Sequence, residues 1–337
     1  MLYTMKKIIL LITLSLGLVY SKTAYAHVRY LVNKDEFEKV SGMDISFLTE
    51  AIKEPKNILI VFLTLVAFIA LYLLETNIPF IKNRVTAIYK RADSYSIFTP
   101  WIMRLSIGIA LIGAGVGEFL ISPALPNYPE LSFIQIVLGF LFISGFMVAP
   151  ASIVTIGLYF AALSQDWYAI GNMEFLTLAL SLLILDNEKP GVDDLLGLPK
   201  ISPFRSFKRF VPLVLRIGIG LSFIILAVYE KLLNPHASEI IVTNFNLMNV
   251  IPVSAGMWIL SAGIIEFILG VLLILGLYTR LTSAIAFVVL SLSFFYFGEE
   301  VSSHIMLFGT LAVLFITSGG AFSFNSKRNT VNKEFSH

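Results

Sequence analysis

The chain has 337 residues, of which 57% are hydrophobic and 14% are charged, and its formal net charge is +2. This composition excludes an ordinary soluble domain and indicates a membrane protein with several spans. Cysteine is absent and there are four histidines, which excludes thiol chemistry and argues against a haem held by paired histidines.

The amino terminus has the pattern of a cleavable signal peptide. Two lysines precede an apolar run at 8–19, which is too short to span a bilayer, and small residues follow at the cleavage positions. We therefore predict a signal peptide at 1–26 and an external segment at 27–56. The mature chain would begin at His27, a potential copper ligand, but the segment offers no second histidine and no metal site is predicted.

From residue 57 onward, apolar segments alternate with polar loops. One segment stands alone, and the other eight form two sets of four. Each segment approaches the length of a transmembrane helix. The predicted spans are 57–75, 101–121, 131–149, 151–166, 172–186, 209–230, 257–278, 280–297 and 302–318. The sequence therefore predicts an all-α membrane protein with about nine transmembrane helices, the first of them solitary.

Basic residues occur in particular loops. They follow the first span, join the two sets of four, and recur in the tail at 326–337. The positive-inside rule makes these segments cytoplasmic. It places the mature amino terminus outside the cytoplasmic membrane and the carboxyl terminus inside. Because Lys and Arg thus report topology, no nucleic-acid partner is predicted.

A frame of polar residues and glycines occurs twice with the same internal spacing. Arg104, Gly108, Glu118, Gln135, Gly139 and Gly145 correspond in order to Arg216, Gly220, Glu230, Glu266, Gly270 and Gly276. A recurring frame predicts a recurring structural unit. We therefore predict two tandem four-helix modules, at 101–200 and 209–325. Each has an even number of spans, so the modules are parallel.

Ionisable side chains of the second module form the candidate polar site. Glu230, Glu266 and His304 fall towards its outer end by topology, and Arg216 lies towards the cytoplasmic end of the same frame. Ionisable groups are costly inside a membrane, so they suggest a functional site. The chemistry stays open between quinol binding, a divalent ion, a proton or solute pathway, and polar contacts that only fix helix packing.

Other polar and aromatic residues are interpreted as interfacial. Glu118, Glu299 and Glu300 lie near the water interface, where charge costs little. Trp167 and Tyr168 are read as anchors in an aromatic belt.

Three stretches of the second module carry a family pattern. They are RIGIGLSFIILAVYEKLLNP (216–235), GIIEFILGVLLILGLYTR (263–280) and HIMLFGTLAVLFITSGGAFSFN (304–325). With their Glu-Lys pair, Gly-Leu-x-Thr-Arg ending and glycine-rich last helix, they resemble the DoxX family of small four-helix membrane proteins and its DoxD-like relatives. The first module resembles a degenerate copy, with Gln135 where the second has Glu266.

DoxX is named after a membrane subunit of a terminal quinol oxidase, and DoxD-like proteins after a thiosulfate:quinone oxidoreductase. The resemblance therefore implies a subunit or accessory protein of a quinone-linked redox system, with quinone or quinol as cofactor and a separate redox partner subunit. The chain has no redox or hydrolase motif of its own, so it is at most part of an oxidoreductase. A transporter of a small solute or ion, and a non-catalytic assembly protein, are the alternatives.

Overall fold

The computed structural model describes residues 39–40, 42–185, 191–198 and 204–324. Over these residues the protein is helical, as predicted, with one isolated β-bridge between Phe119 and Asn127. The predicted signal peptide at 1–26, the copper candidate His27 and the tail at 326–337 lie outside the described residues.

Among the described residues, three helices with defined bounds precede the first set of four: α1 Ile45–Lys53, α2 Pro55–Asn77 and α3 Pro79–Asp93. Prolines begin α2 and α3, where a missing backbone donor costs least. Helix α2 is apolar around its whole circumference and is mostly exposed, as suits a helix in contact with lipid. The basic residues expected in a loop after the first span lie on α3 instead.

Two sets of long helices follow, each with four members. The first set comprises α4 Thr99–Val116, α5 Pro129–Ser144, α6 Val148–Gln165 and α7 Met173–Leu185, the last preceded by a 3₁₀ turn at Trp167–Asn172. A short α8, Val192–Leu195, lies between the sets.

The second set comprises α9 Val211–Leu226, α12 Ala255–Leu275, α13 Thr279–Phe297 and α14 Val301–Thr317. A π-helical turn at Ala227–Leu233 extends α9. Two further helices, α10 Pro235–Asn244 and α11 Leu247–Val250, fill the connection that has no long counterpart in the first set.

Each of the nine predicted spans overlaps α2 or one of the eight helices of the two sets, although α4 ends at Val116 and α5 at Ser144, each about five residues before the predicted end of its span. Seven helical stretches among the described residues are long and apolar enough to cross a membrane. The other two apolar helices, α5 and α14, have 16 and 17 residues. The multi-span architecture is thus confirmed, and the number nine stays a prediction.

The two sets of helices interlock through their fourth members. Helix α7 ends the first set and packs extensively against α9, which begins the second. Likewise, α14 ends the second set and packs against α4, which begins the first. One buried apolar cluster runs through all of these helices. The two sets therefore share a core and do not form two separate bundles.

Within each set, the first two helices cross at a pair of glycines. A Cβ at Gly139 would lie 2.6 Å from the Gly108 carbonyl oxygen, and one at Gly270 would lie 2.7 Å from that of Gly220. The backbones therefore approach more closely than any side chain would permit. This is the small-residue packing expected between membrane helices.

A polar contact attaches α1 to α10. Nε2 of His236 lies 2.9 Å from Oδ2 of Asp44, and its Nδ1 lies 3.3 Å from Oε2 of Glu239. Asp44 also caps α1 by accepting the Phe47 N–H. The hydrogen bond to Asp44 raises the pKa of His236, while hydrogen bonds from Ser46, Phe47 and His236 lower the pKa of Asp44 to about 2.

This contact predicts a pH-dependent attachment of α1. A raised His236 pKa means that the stabilisation is complete below the ordinary histidine pKa and is lost as the pH rises through the raised value. The lowered Asp44 pKa has the opposite sign, so its contribution is complete above the ordinary aspartate pKa and is lost as the pH falls towards 2. We expect α1 to be held most firmly at mildly acidic pH.

The absence of cysteine makes the measurement direct, since spin labels on Thr49→Cys and Thr243→Cys report the distance between α1 and α10. The distance distribution should be narrow near pH 6 and broaden towards pH 9, values that bracket the pKa of about 6.5 of an ordinary histidine. His236→Gln should remove this dependence. A distribution that is the same throughout that range in the native sequence would contradict the prediction.

Candidate functional site

A buried carboxylate–imidazole pair joins the α13–α14 connection to α14. Oε2 of Glu299 lies 3.1 Å from Nε2 of His304, and both side chains are almost fully buried. Ser293 donates to the other Glu299 oxygen at 3.2 Å, and Ser303 bonds the second ring nitrogen of His304 at 2.9 Å. Both members of the pair are therefore fixed in orientation.

Glu299 lies in the connection itself, between the helices. Burial raises its pKa to about 7, against the opposing effects of the Ser293 hydrogen bond and the positive charge of Lys231. A carboxyl group with this pKa exchanges protons near neutral pH. The interpretation of Glu299 as an interfacial residue, at a position where charge costs little, is therefore wrong, because its side chain is enclosed.

A second ion pair lies beside the first. Lys231 Nζ is 2.6 Å from Oε2 of Glu266, and these side chains are 18% and 24% exposed. Lys231 also interacts electrostatically with Glu230 and Glu299. One lysine thus interacts with several carboxylates. Its ion pair with Glu266 is partly exposed at the surface of the protein.

The π-helical turn at the end of α9 places adjacent residues on different sides. Glu230 accepts a hydrogen bond from the Tyr168 hydroxyl in the first half, while Lys231 reaches α12 in the second. Tyr168 is 3% exposed, so its interpretation as an interfacial anchor is wrong. The ring of Tyr229 packs against Trp167 and Tyr168, which closes this side of the site.

We call this group of residues the acidic cluster, and the end of the bundle where it lies the acidic end. Its members come from both halves, and they lie in connections, at helix ends and, for Glu266, in the middle of α12. They are Tyr168, Glu230, Lys231, Glu266, Glu299 and His304.

The structure brings three of the four predicted site residues into this neighbourhood and excludes the fourth. Arg216 is fully buried elsewhere, where it donates to the carbonyl oxygens of Ile274 at 3.4 Å and Ala321 at 3.0 Å. These carbonyls belong to the end of α12 and to the segment after α14. Arg216 therefore links the end of α12 to the segment after α14 and takes no part in the acidic cluster.

Gln135 occupies the position in the first half that corresponds to Glu266. Its amide oxygen accepts from the Ile121 N–H at 2.8 Å, and its amide nitrogen donates to the Phe119 carbonyl at 2.7 Å. Glu118, in the position of Glu230, is exposed on a left-handed backbone. The first half thus uses these positions to hold a loop, and it forms no matching cluster among the residues described.

The charge and geometry of the acidic cluster fit binding of a small polar group more closely than binding of a metal ion. Within the described ranges, no three His, Cys, Asp or Glu side chains converge as metal ligands would. The cluster provides a hydrogen-bond donor at Lys231 and hydrogen-bond acceptors at its carboxylates. Its imidazole can donate or accept a hydrogen bond.

Comparison with known proteins identifies one region. Residues 211–299 match the family model described as DoxX. The match covers α9 to α13 and the connection up to Glu299, and thus all of the acidic cluster except Tyr168 and His304. No curated protein matches the chain, and neither does any solved structure.

Proposed function

Because residues 211–299 match the DoxX family model and the chain has several membrane-spanning helices, we propose that the protein is a membrane subunit or accessory component of a quinone-linked redox system. In this proposal, the acidic cluster binds the head group of a quinol that enters from the bilayer. The observation that carries it is the enclosed Glu299–His304 pair beside the partly exposed Lys231–Glu266 pair.

The chemistry of a quinol head group matches these two pairs. Its two hydroxyl groups require acceptors, and its oxygens accept hydrogen bonds as the ring is oxidised. Glu299 and His304 supply acceptors that can take up protons, and Lys231 supplies a donor. The 24% exposure of Glu266 marks the side from which the head group would approach.

The electrons and protons have separate destinations. Oxidation of the quinol to the quinone breaks two O–H bonds and releases two protons and two electrons. Glu299 and His304 take the protons and pass them to water at the acidic end. The electrons go to a redox-active partner subunit, since the chain contains no cysteine for a thiolate-bound cluster.

Topology and duplication complete the proposal. The positive-inside rule puts the acidic end outside the cytoplasmic membrane, so protons are released there.

We treat the two sets of four helices as copies of one unit. In support, the glycine crossings and the left-handed glycines Gly145 and Gly276 recur in both, each glycine beside the arginine of its own half. In this proposal the first copy is a scaffold, because it has Gln135 in the position of Glu266.

Quinone binding by the purified protein in lipid nanodiscs tests the proposal. We expect a short-tailed quinone to bind the native protein, and Glu299→Gln or His304→Gln to weaken that binding by about tenfold, because a hydrogen bond to a charged group contributes about 1.5–3 kcal/mol. Titration calorimetry measures the change.

Glu118→Gln is the matched control, because Glu118 holds the register of Glu230 in the other half but is exposed. It should bind like the native protein. Absence of quinone binding by the native protein, or equal loss of affinity in the control, would contradict the proposal. Co-purification with an oxidoreductase in mild detergent tests the expected partner.

A further inference from the structure

Helix α3 is basic and follows the apolar α2 with a single residue, Ile78, between them. Its basic residues are all exposed, and they are Lys82, Arg84, Lys90 and Arg91. The one acidic residue of the helix, Asp93, forms an ion pair with Arg280 of α13. None of the four basic side chains forms an ion pair within the described part of the chain. The exposed side of α3 is therefore strongly positive.

Contacts at its two ends show that α3 runs along one end of the bundle. Before α3, the ring of Tyr72 in α2 packs on that of Tyr278, just before α13, with centroids 4.2 Å apart. Near the far end of α3, the Tyr89 ring centroid lies 5.0 Å from the guanidinium carbon of Arg280 and 6.0 Å from the ring centroid of Phe315 in α14.

These contacts exclude a helix that projects away from the bundle. If α3 continued in the direction of α2, Tyr89 would lie about 25 Å beyond Tyr72. The two tyrosines instead contact Tyr278 and Arg280, which are two residues apart in the sequence. Helix α3 therefore turns back at the end of α2 and lies across the ends of α13 and α14. An apolar span ends at a membrane surface, so α3 lies along that surface.

The sides of α3 differ in what they contact. One side faces the bundle and is half-buried or buried, at Ile81, Val85, Tyr89 and Ala92. A second set of residues, three or four apart, forms a stripe that the bundle leaves uncovered. We call it the arginine stripe, and it consists of Phe80, Arg84, Ile88 and Arg91. Phe80 and Ile88 are 69% and 55% exposed. The stripe thus combines exposed apolar and cationic side chains.

A membrane surface is a partner with the matching chemistry. A helix in the plane of the interface places its apolar side chains at the boundary of head groups and acyl chains, and its basic ones beside anionic lipids. A guanidinium group can donate two parallel hydrogen bonds to a phosphate. The guanidinium carbon of Arg84 lies 5.5 Å from the centroid of the Phe80 ring, so charge and ring occupy the same part of the stripe.

We propose that the arginine stripe of α3 binds anionic phospholipids of the adjoining membrane. Arg84 and Arg91 donate to the lipid phosphates, while Phe80 and Ile88 contact the upper part of the acyl chains. A zwitterionic lipid binds less well, because it brings its own cation to the phosphate. The proposal does not rest on quinol binding, because no residue of α3 belongs to the acidic cluster.

The two lysines of α3 lie outside the arginine stripe. At 3.6 residues per turn, Lys82 lies almost opposite the centre of the stripe, and Lys90 lies more than a quarter of a turn from it. Replacing both lysines changes the charge of the helix by as much as replacing both arginines. The lysines therefore supply a control on the same helix that separates the effect of the stripe from that of net charge.

Fluorescence quenching by brominated lipids tests the proposal. The chain has no cysteine, so Ala87→Cys, at an exposed position next to the stripe, carries a single bimane label. The labelled protein is reconstituted in equal parts of phosphatidylglycerol and phosphatidylcholine, with one or the other brominated high on its acyl chains. Quenching should show a preference for phosphatidylglycerol of about threefold or more at low salt. It should fall towards unity in about 1 M salt, which screens exposed charges.

Two double variants complete the test. Arg84→Gln/Arg91→Gln should lower the preference to about unity, and Lys82→Gln/Lys90→Gln should keep most of it. Equal quenching of the native sequence by the two lipids overturns the proposal, as would be observed if the stripe bound an acidic soluble protein instead. Equal losses in the two double variants also overturn it, because net charge and not the arginine stripe would then set the preference.

Discussion

Replacing Gly270 by alanine is expected to destabilise the protein by about 1–3 kcal/mol, and replacing it by valine to prevent its accumulation in the membrane. A Cβ at this position would lie 2.7 Å from the Gly220 carbonyl oxygen and 3.2 Å from the Ile224 nitrogen. Both are backbone atoms of α9, so they cannot move aside without separating the two helices.

The effect reaches beyond one helix pair. Helix α9 also packs against α7, and the π-helical turn that extends α9 carries Glu230 and Lys231. Separating α12 from α9 would pull Glu266 away from Lys231, so both the core and the acidic cluster would be disturbed. Gly139→Ala should cost a similar amount in the first half, where its Cβ would lie 2.6 Å from the Gly108 carbonyl oxygen.

Gly157 supplies the matched control for these substitutions. It lies in the middle of α6, and a Cβ there would meet nothing within 4 Å. Gly157→Ala should stabilise its helix by about 0.5–1 kcal/mol, since alanine is the better helix former. Unfolding in detergent compares the variants. If Gly270→Ala proved as stable as Gly157→Ala, the close crossing of α9 and α12 would be refuted.

Lys231→Met is expected to have the second large effect, a loss of about 2 kcal/mol in the free energy of unfolding. Removing one partner of a buried ion pair typically costs about 3–5 kcal/mol, and the partial exposure of Lys231 and Glu266 reduces that figure. The variant leaves Glu266 unpaired and removes the positive charge near Glu230 and Glu299.

The double variant Lys231→Met/Glu266→Gln should recover part of this loss, because it no longer leaves Glu266 as a charged group without its partner. Lys90→Met changes an exposed lysine on α3 and should have little effect. Thermal unfolding of the four proteins in the same detergent gives the comparison. A loss in Lys231→Met no greater than that in Lys90→Met would show that the lysine does not hold the cluster together.

Much of the fold follows from simple sequence patterns. Runs of apolar residues identify the long helices, and prolines at the starts of α2, α5 and α10 mark where they begin. The left-handed Gly145 and Gly276 end α5 and α12. These signals are local, because each depends on the backbone of a few neighbouring residues.

The site was only partly predictable because its contacts join residues far apart in the chain. Glu230 and Glu266 were identifiable as ionisable residues at the ends or within spans. No local pattern indicates that Tyr168 of the first half bonds Glu230, or that Glu299 is enclosed. The π-helical turn, which directs Glu230 and Lys231 to different partners, has no signature in the sequence either.

The buried Glu174 was not predicted from the sequence, for a different reason. It is the one charged residue in the apolar helix MEFLTLALSLLIL, so the same reasoning that singled out Glu266 applies to it. Glu174 has no counterpart in the repeated frame, so the frame gives no signal at this position. Arg216 is the opposite case, because it belongs to the frame but links the end of α12 to the segment after α14.

The interlocking of the two sets of helices affects how many sites the protein has. A single four-helix unit would leave the faces of its first and fourth helices uncovered, and two identical units would cover them symmetrically. Any substitution would then occur in both units. On one chain the units are free to differ, so Gln135 secures a loop while Glu266 pairs with Lys231. We therefore expect a stoichiometry of one ligand for each chain.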